Sequence, residues 1–287
     1  MPHSAWCPIR YDVHSYRVDL AGGQGTLLTL HGRRPITFTL TAYNRQYSAW
    51  TVTSADLLRD RRGRWWLHVV VTQPLTDTAP TQEVVGVDLG IVHPATDSNG
   101  THYGSDHWKV VEERTYQLRR RLQAKGTKSA RRHLKTMSGR QRRFRRDCDH
   151  ILSKRLVAAV SPGATLVFED LTDIRGRAQA RKQQKRRLHG WSFAQLHAFV
   201  TYKAEARGVR IGVVDPRYTS QKCSACGHRE RANRVDQAHF RCVLCHFSCN
   251  ADHNASLNIR DDYQRAAVSP PIVSMQHLAV SGTSLAL

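Results

Sequence analysis

A mixed α/β fold with a β-rich front and an inserted metal knuckle is the class this sequence predicts, and three observations predict it. Residues 26–76 alternate short β-prone runs with turns. From residue 84 onward, three short apolar runs, VVGVDLG, ATLVFED and VRIGVVD, are separated by stretches of helical periodicity. Four cysteines in two close pairs interrupt the step from the last strand to the last helix. A chain of 287 residues can bury one sizeable core with a smaller satellite.

At the front, TLLTL, ITFTLTAY and AWTVTSADLL read as strands, and WWLHVVV follows a DRRGR turn. Together they predict a small barrel or sandwich over 1–76. Trp50, Trp65 and Trp66 lie in these runs and are assigned to its core rather than to base stacking. The Thr- and Pro-bearing segment TQPLTDTAPTQE supplies a linker at 77–83.

The second part opens on VVGVDLG, a nearly all-apolar strand carrying one acid, Asp88. IVHPATD and THYGSD meet at Asn99-Gly100, a strong hairpin-turn signal. Long helices follow, with Gly126 and Gly139 expected to break them. Between 114 and 155 stand sixteen Lys+Arg against two acids, Asp147 and Asp149. Phe144, Cys148, Ile151, Leu152, Leu156, Val157 and Val160 recur at helical spacing, so one face packs inward while the other carries charge. ATLVFED ends in Glu169 and Asp170, and the basic run RGRAQARKQQKRR follows. Ser192 is placed to cap a helix running to Arg207 with Gly208 as its stop; VRIGVVD is the next strand. A short helix carrying Asp252, Leu257 and Ile259 follows the cysteines, and 266–287 is read as a flexible tail.

The balance of 44 Lys+Arg against 23 Asp+Glu gives a formal net charge of +21. An excess of this size points to a polyanionic partner, nucleic acid above all. No apolar run is long enough to span a bilayer, and MPHSAWCPIR lacks a signal-peptide core, so no membrane association is expected. An odd count of seven cysteines, four of them in tight pairs, fits reduced thiols and a cytoplasmic setting. Cys223-x₂-Cys226 and, after fifteen residues, Cys242-x₂-Cys245 have zinc-ribbon spacing: two turns, each offering two thiolates, close a tetrahedron around a structural Zn²⁺. His228, His246 and Cys249 are left out because four thiolates already complete the site, and Cys148 is assigned to a helical core face.

An unpaired acid in a buried strand costs several kcal/mol or becomes neutral. A structural arginine would compensate any one of them. Asp88, Glu169 and Asp252 converge if their strands are neighbours and the last helix packs across the strand ends. Clustered carboxylates repel unless a divalent cation sits among them, and an oxygen-rich site suits Mg²⁺ or Mn²⁺. Two such ions could hydrolyse a phosphodiester. Only one of Glu169 and Asp170 can face such a site, because strand neighbours point to opposite faces.

Residues 84–260 resemble the RuvC-like nuclease domain of the TnpB/OrfB family, RNA-guided nucleases of insertion sequences related to type V CRISPR effectors. GVDLG around Asp88, VFEDL around Glu169 and ADHNASLNI around Asp252 match its three motifs. LQAKGTKSARR, SGRQRRF, WSFAQLHAFVTYKAEARG and VDPRYTSQKCSACG match its linking segments. The resemblance implies an RNase H-like RuvC domain over 84–218 and 251–265, with the zinc ribbon inserted at 219–250 and a partial wedge-like β-barrel before it. It selects Glu169 over Asp170, and gives Asp88, Glu169 and Asp252 the catalytic Mg²⁺ or Mn²⁺. It implies a guide RNA from the same element, a double-stranded DNA target, and a bacterial or archaeal cytoplasm. Arg131, Arg132, Arg142, Arg143, Arg217 and Ser220 are the expected nucleic-acid contacts. The front holds about half of the family barrel's strands and no helical insert, so a truncated copy, a misassigned start or a minimal variant is expected. The competing expectation is a catalytically silent RNA- or DNA-binding regulator; strand transfer by this chain is the least favoured.

Overall fold

A computed structural model describes residues 7–60, 62–74, 78–90, 93–171 and 193–268. The expected cap Ser192, the basic run 175–187 and the tail from 269 lie outside the described residues. The chain divides into two compact units, one ending at Pro74 and the other covering the rest of the described residues.

The first unit holds two antiparallel three-stranded sheets. In one, β1 (Ile9–Tyr11) pairs β5 (Thr51–Arg59), which pairs β6 (Trp65–Thr72); in the other, β2 (Tyr16–Asp19), β3 (Gln24–Thr29) and β4 (Gly32–Thr37) follow in order. Tyr11, Tyr16, Leu27 and Ala55 form one small core, with Val18, Ile36, Val52, Leu57 and Leu67 against it. Two expectations fail here. ITFTLTAY stays in strand only to Thr37, and residues 44–47 make a 3₁₀ turn. Trp65 and Trp66 are not core but 58% and 47% exposed, because they flank the hairpin tip, beyond the reach of so small a core. Arg59 and Arg64 lie over their rings.

The second unit is built on a five-stranded sheet of order β11-β10-β7-β8-β9. β7 (Val84–Asp88), β10 (Thr165–Glu169) and β11 (Arg210–Val214) are parallel; β8 (Ala95–Asp97) and β9 (His102–Tyr103) continue antiparallel. Asn99 and Gly100 form the turn between β8 and β9, with Gly100 at φ +85°. Residues expected as a linker run against the start of β10 instead: Thr81 donates to Gly163 O at 2.9 Å, and Thr165 to Glu83 O.

Helix α1 (Asp106–Lys125) is capped by Ser105 and stops at Gly126, whose φ of +63° is the left-handed stop that glycine favours. Thr127 caps α2 (Lys128–Ala158). Gly139 does not break α2. A Cβ there would meet only an arginine side-chain end, so nothing but propensity opposes helix at that position. Leu152, Leu156, Val157 and Val160 enter the core as expected, whereas Ile151 is exposed. α3 (Phe193–Ala206) ends before Gly208, at φ +68°, and contributes Leu196, Val200 and Ala204 to that core.

Strand alternation then sorts the sheet into two faces. Val85 and Val87 of β7 and Leu166 and Phe168 of β10 point into the core with α2 and α3. Gly86 faces α4 (Ala251–Val268), packed so closely that an added Cβ would run into the carbonyl of Ser256 and come within 2.6 Å of Arg260 N. α4 is longer than the short helix expected from the sequence and takes up residues 266–268 of the expected tail.

Candidate active site

Asp88 stands two residues beyond Gly86, and Glu169 two beyond Val167; both therefore leave the sheet on the face that α4 covers. Because Val87 pairs with Phe168, the two acids end neighbouring parallel strands at the same level. Asp252 comes from the first turn of α4. Asn250 caps that turn, its Oδ1 accepting from Asp252 N (2.9 Å) and His253 N (3.1 Å). The helix N-terminus favours the negative charge placed there. Asp252 is only 8% exposed.

Asp88 senses the other two acids. Burial, then the charges of Glu169 and Asp252, push the Asp88 carboxyl well above the ordinary carboxylate range, against the pull of Arg234. Burial also raises Glu169; the Thr219 hydroxyl, which donates to its Oε1, and Arg234 oppose that rise. Arg234 meets Asp252 at 3.5 Å and hydrogen-bonds the carbonyl of Gln237 at 2.9 Å. A largely buried oxygen-rich cluster, in which two acids make ionisation of Asp88 costly, is the donor set that a hard divalent cation suits. Asp170 lies past the end of β10, where its backbone N–H donates to Val214 O, and Asp215 pairs with Arg217 at 3.8 Å.

The four cysteines form a second cluster. Cys223 and Cys245 sulfurs are 3.7 Å apart, Cys226 and Cys242 sulfurs 3.6 Å, and all four lie within 4.8 Å of one another. Four Zn–S bonds of about 2.3 Å place tetrahedral sulfurs about 3.8 Å apart, so the residues fit zinc. Among the described residues no other set of three or more such ligands is drawn this tight, and the three acids are more widely spread. The knuckles match in detail: Gly227 N donates to Cys223 O, and His246 N to Cys242 O. Burial resists ionisation of Cys242, but the backbone N–H groups of Cys245 and Leu244, together with the Cys226 and Cys245 thiols, outweigh it and bring the thiol down to about 6. His228 faces Glu230 at 3.2 Å, and Cys249 lies in a small apolar core with Phe240. Cys148 is half-buried rather than fully core, its thiol pushed up to about 12 by burial.

Three fully buried asparagines that the sequence reading passed over hold the ribbon, Asn254 and Asn258 clamping it to α4 and Asn233 tying it to itself. Asn254 donates to Lys222 O and accepts from Ser224 N; Asn258 donates to Thr219 O and Lys222 O; Asn233 donates to Gln221 O. Their signal was Asn254 and Asn258, two amides four apart on the inner face of a helix, where apolar residues are expected. Arg234 was missed too; only its ion pair distinguishes it among 44 basic residues.

Of the expected nucleic-acid contacts, Arg131, Arg132, Arg142 and Arg143 are exposed along α2, away from the acids in sequence and element. Arg217 is exposed and paired with Asp215. Ser220 lines a cavity of about 410 Å³ together with Gln221, Arg231, Arg234, Asp236 and Gln237.

Comparison with known proteins bears on the same elements. Residues 68–165 match the family model described as "Probable transposase" of the OrfB type, and residues 193–259 match the Cas12f1-like TNB domain. These matches make the second unit similar to OrfB-type and Cas12f1-like proteins. It is 30% identical over 228 residues to the CRISPR-associated endodeoxyribonuclease Cas12f1 of Sulfoacidibacillus thermotolerans, covering 72% of this chain and 53% of that protein. It is 28% identical over 218 residues to the putative RNA-guided DNA endonuclease InsQ of Escherichia coli K12, covering 69% and 53%. The TnpB-like protein MJ0751 of Methanocaldococcus jannaschii is 34% identical over 124 residues, which cover 42% of this chain and 44% of that one. The chain thus spans about half the length of the first two. Its fold resembles the Cas12f1 chain of a Cas12f1–sgRNA–target DNA complex, with a TM-score of 0.50 at 21% identity over 81% of this chain and 59% of that chain. It also resembles the mini-RNA-guided endonuclease CRISPR-Cas_phi3, with a TM-score of 0.53 at 13% identity over 88% and 58%. Among the described residues no helix is long and apolar enough to cross a membrane.

Proposed function

We propose that this chain is an RNA-guided, divalent-metal-dependent DNA endonuclease of a transposable element, cutting phosphodiesters at a RuvC-type site of Asp88, Glu169 and Asp252. The observation that carries the reading is the convergence of three acids, from two neighbouring parallel strands and a helix N-terminus, close enough for Glu169 and Asp252 to act on Asp88. The sheet order, three parallel strands continued by an antiparallel hairpin, supports an RNase H-like RuvC domain interrupted by the ribbon.

Asp88, Glu169 and Asp252 would hold Mg²⁺ or Mn²⁺, and that metal would supply an activated water and neutralise charge building on the phosphate. The chain's own residues do the rest. Thr219 fixes the rotamer of Glu169, and Asn250 fixes the turn that aims Asp252. Arg234 offers its guanidinium to the phosphate from the ribbon side, where a cation is worth most in a water-poor site. Zinc on the four cysteines braces the ribbon and does no chemistry. The exposed arginines of α2, with Arg217 and Ser220, hold phosphates of a guide–target duplex by its backbone shape. The guide RNA comes from the same element, the target is double-stranded DNA, and the setting is a bacterial or archaeal cytoplasm.

The test is to purify the protein with its co-expressed RNA, supply a matching DNA, and compare wild type with Asp88→Ala in Mg²⁺ and in EDTA. Cleavage should fall at least about 10³-fold in the variant, and any two acid substitutions together should cost little more than one, because the acids act as a unit. Undiminished cutting by Asp88→Ala sinks the site. A wild type that binds guide and target yet never cuts supports the binding-only regulator instead.

A further inference from the structure

Two non-glycine residues among those described have positive φ: Tyr218 at +68° and His246 at +61°. His246 follows the second knuckle as Gly227, at +77°, follows the first, so the fold of the ribbon explains it. Tyr218 has no such counterpart. Bulky L-residues avoid the left-handed region and persist there only where the surroundings over-determine them. Here they do. The Tyr218 carbonyl accepts from both Gln221 N (2.9 Å) and Lys222 N (3.0 Å), and Asn258 fixes the next carbonyl, that of Thr219. That turn would form more easily with asparagine or glycine, so the backbone alone does not call for a tyrosine.

Nor does packing. The ring is 48% exposed. One face is held by the Arg229 guanidinium, whose Cζ stands 4.0 Å from the ring centre, and Arg229 is itself fixed by a backbone bridge to Lys222. The two residues that follow it face the site: Thr219 bonds Glu169, and Ser220 shares its cavity with Arg234, the partner of Asp252. An aromatic ring, cation-backed on one face and presented to solvent beside a phosphodiester site, has the chemistry of a base-stacking platform.

We propose that Tyr218, braced by Arg229, stacks an unpaired base of the DNA strand whose phosphate lies at the three acids. The inference rests on the nuclease reading. The contact needs an unpaired base, since a paired duplex hides its base faces, and it tolerates any base, since each has a π-face.

The test uses single-stranded oligonucleotides carrying 5-iododeoxyuridine, cross-linked by light to the full chain and mapped by mass spectrometry. A cross-link at Tyr218 is expected from single strands and not from the paired duplex. Tyr218→Asn suits the left-handed backbone, so it should fold and melt like wild type, yet lose that cross-link and bind a short oligonucleotide roughly 5- to 100-fold more weakly. Tyr218→Phe should retain both. An oligonucleotide that binds without touching Tyr218, or a Tyr218→Asn variant that binds as wild type does, overturns the proposal. Asp88→Ala should keep the cross-link while losing cleavage. A wild type that cross-links at Tyr218 but never cuts therefore removes the nuclease reading and not the stacking contact.

Discussion

Asp88, Glu169 and Asp252 were legible as residues because each is an acid where its neighbours are apolar. The sequence reading could not see what sits opposite them. Arg234 comes from an extended stretch of the ribbon with no period, and only folding brings it to Asp252. If it meets the scissile phosphate, Arg234→Ala should lower turnover about 10²- to 10³-fold while leaving nucleic-acid affinity near that of wild type, with Arg234→Lys intermediate. Single-turnover cleavage beside a binding titration measures both; an equal loss in each would make Arg234 a mere tether. Trp65 and Trp66 failed for the converse reason. Their apolarity was legible, but their place at a hairpin tip depends on where the strands end, and that is set by Asp60. Its carboxylate is held down to about 2, chiefly by the backbone N–H of Arg64, and it also accepts from the Trp66 indole.

At the scale of elements, the strands of the second unit were readable because burial on both faces leaves a continuous apolar run. β1 and β2 were not, being three and four residues long and too short for a pattern to register. Gly86 fits tightly beneath α4, where backbone meets backbone and no side chain can yield. Gly86→Ala should destabilise the fold by about 3 kcal/mol or more, seen as a lowered unfolding midpoint in denaturant, and should impair cleavage by displacing Asp252 from Asp88. A variant as stable as wild type would mean that α4 is free to shift. Between α2 and α3, Lys203 donates to His150 O (2.8 Å) and to Ser153 Oγ, and its amine is brought down to about 8, first by burial and then by Lys154. Below pH 8 the folded and unfolded chains both carry this proton, so its contribution to the slope is nil there. From about 8 to the ordinary 10.5 the unfolded chain binds more, so this group makes stability rise with pH. Denaturant titrations from pH 7 to 10.5 should show that rise in wild type relative to Lys203→Met, modestly, because the amine is partly solvated. A parallel pair of curves would refute it.

Across the whole molecule, catalysis and metal structure meet in one short piece of chain. Cys245 and Asp252 are seven positions apart, joined by a short strand (Ser248–Asn250) whose last residue, Asn250, caps α4. Stripping zinc with a strong chelator should therefore abolish cleavage in a way that added Mg²⁺ does not restore until zinc returns, and the unfolding temperature should fall with it. Cleavage that survives chelation would uncouple the two. That coupling was half visible beforehand: the cysteine spacing announced the ribbon, but the asparagines that bolt it to the helix read as ordinary polar residues until the fold buried them. The same connection also offers an optical gauge. Cobalt(II) in place of zinc in a four-thiolate tetrahedron colours a protein. The absorbance of a cobalt-loaded sample would then track whether the helix bearing Asp252 is anchored, in a cuvette holding neither guide nor target.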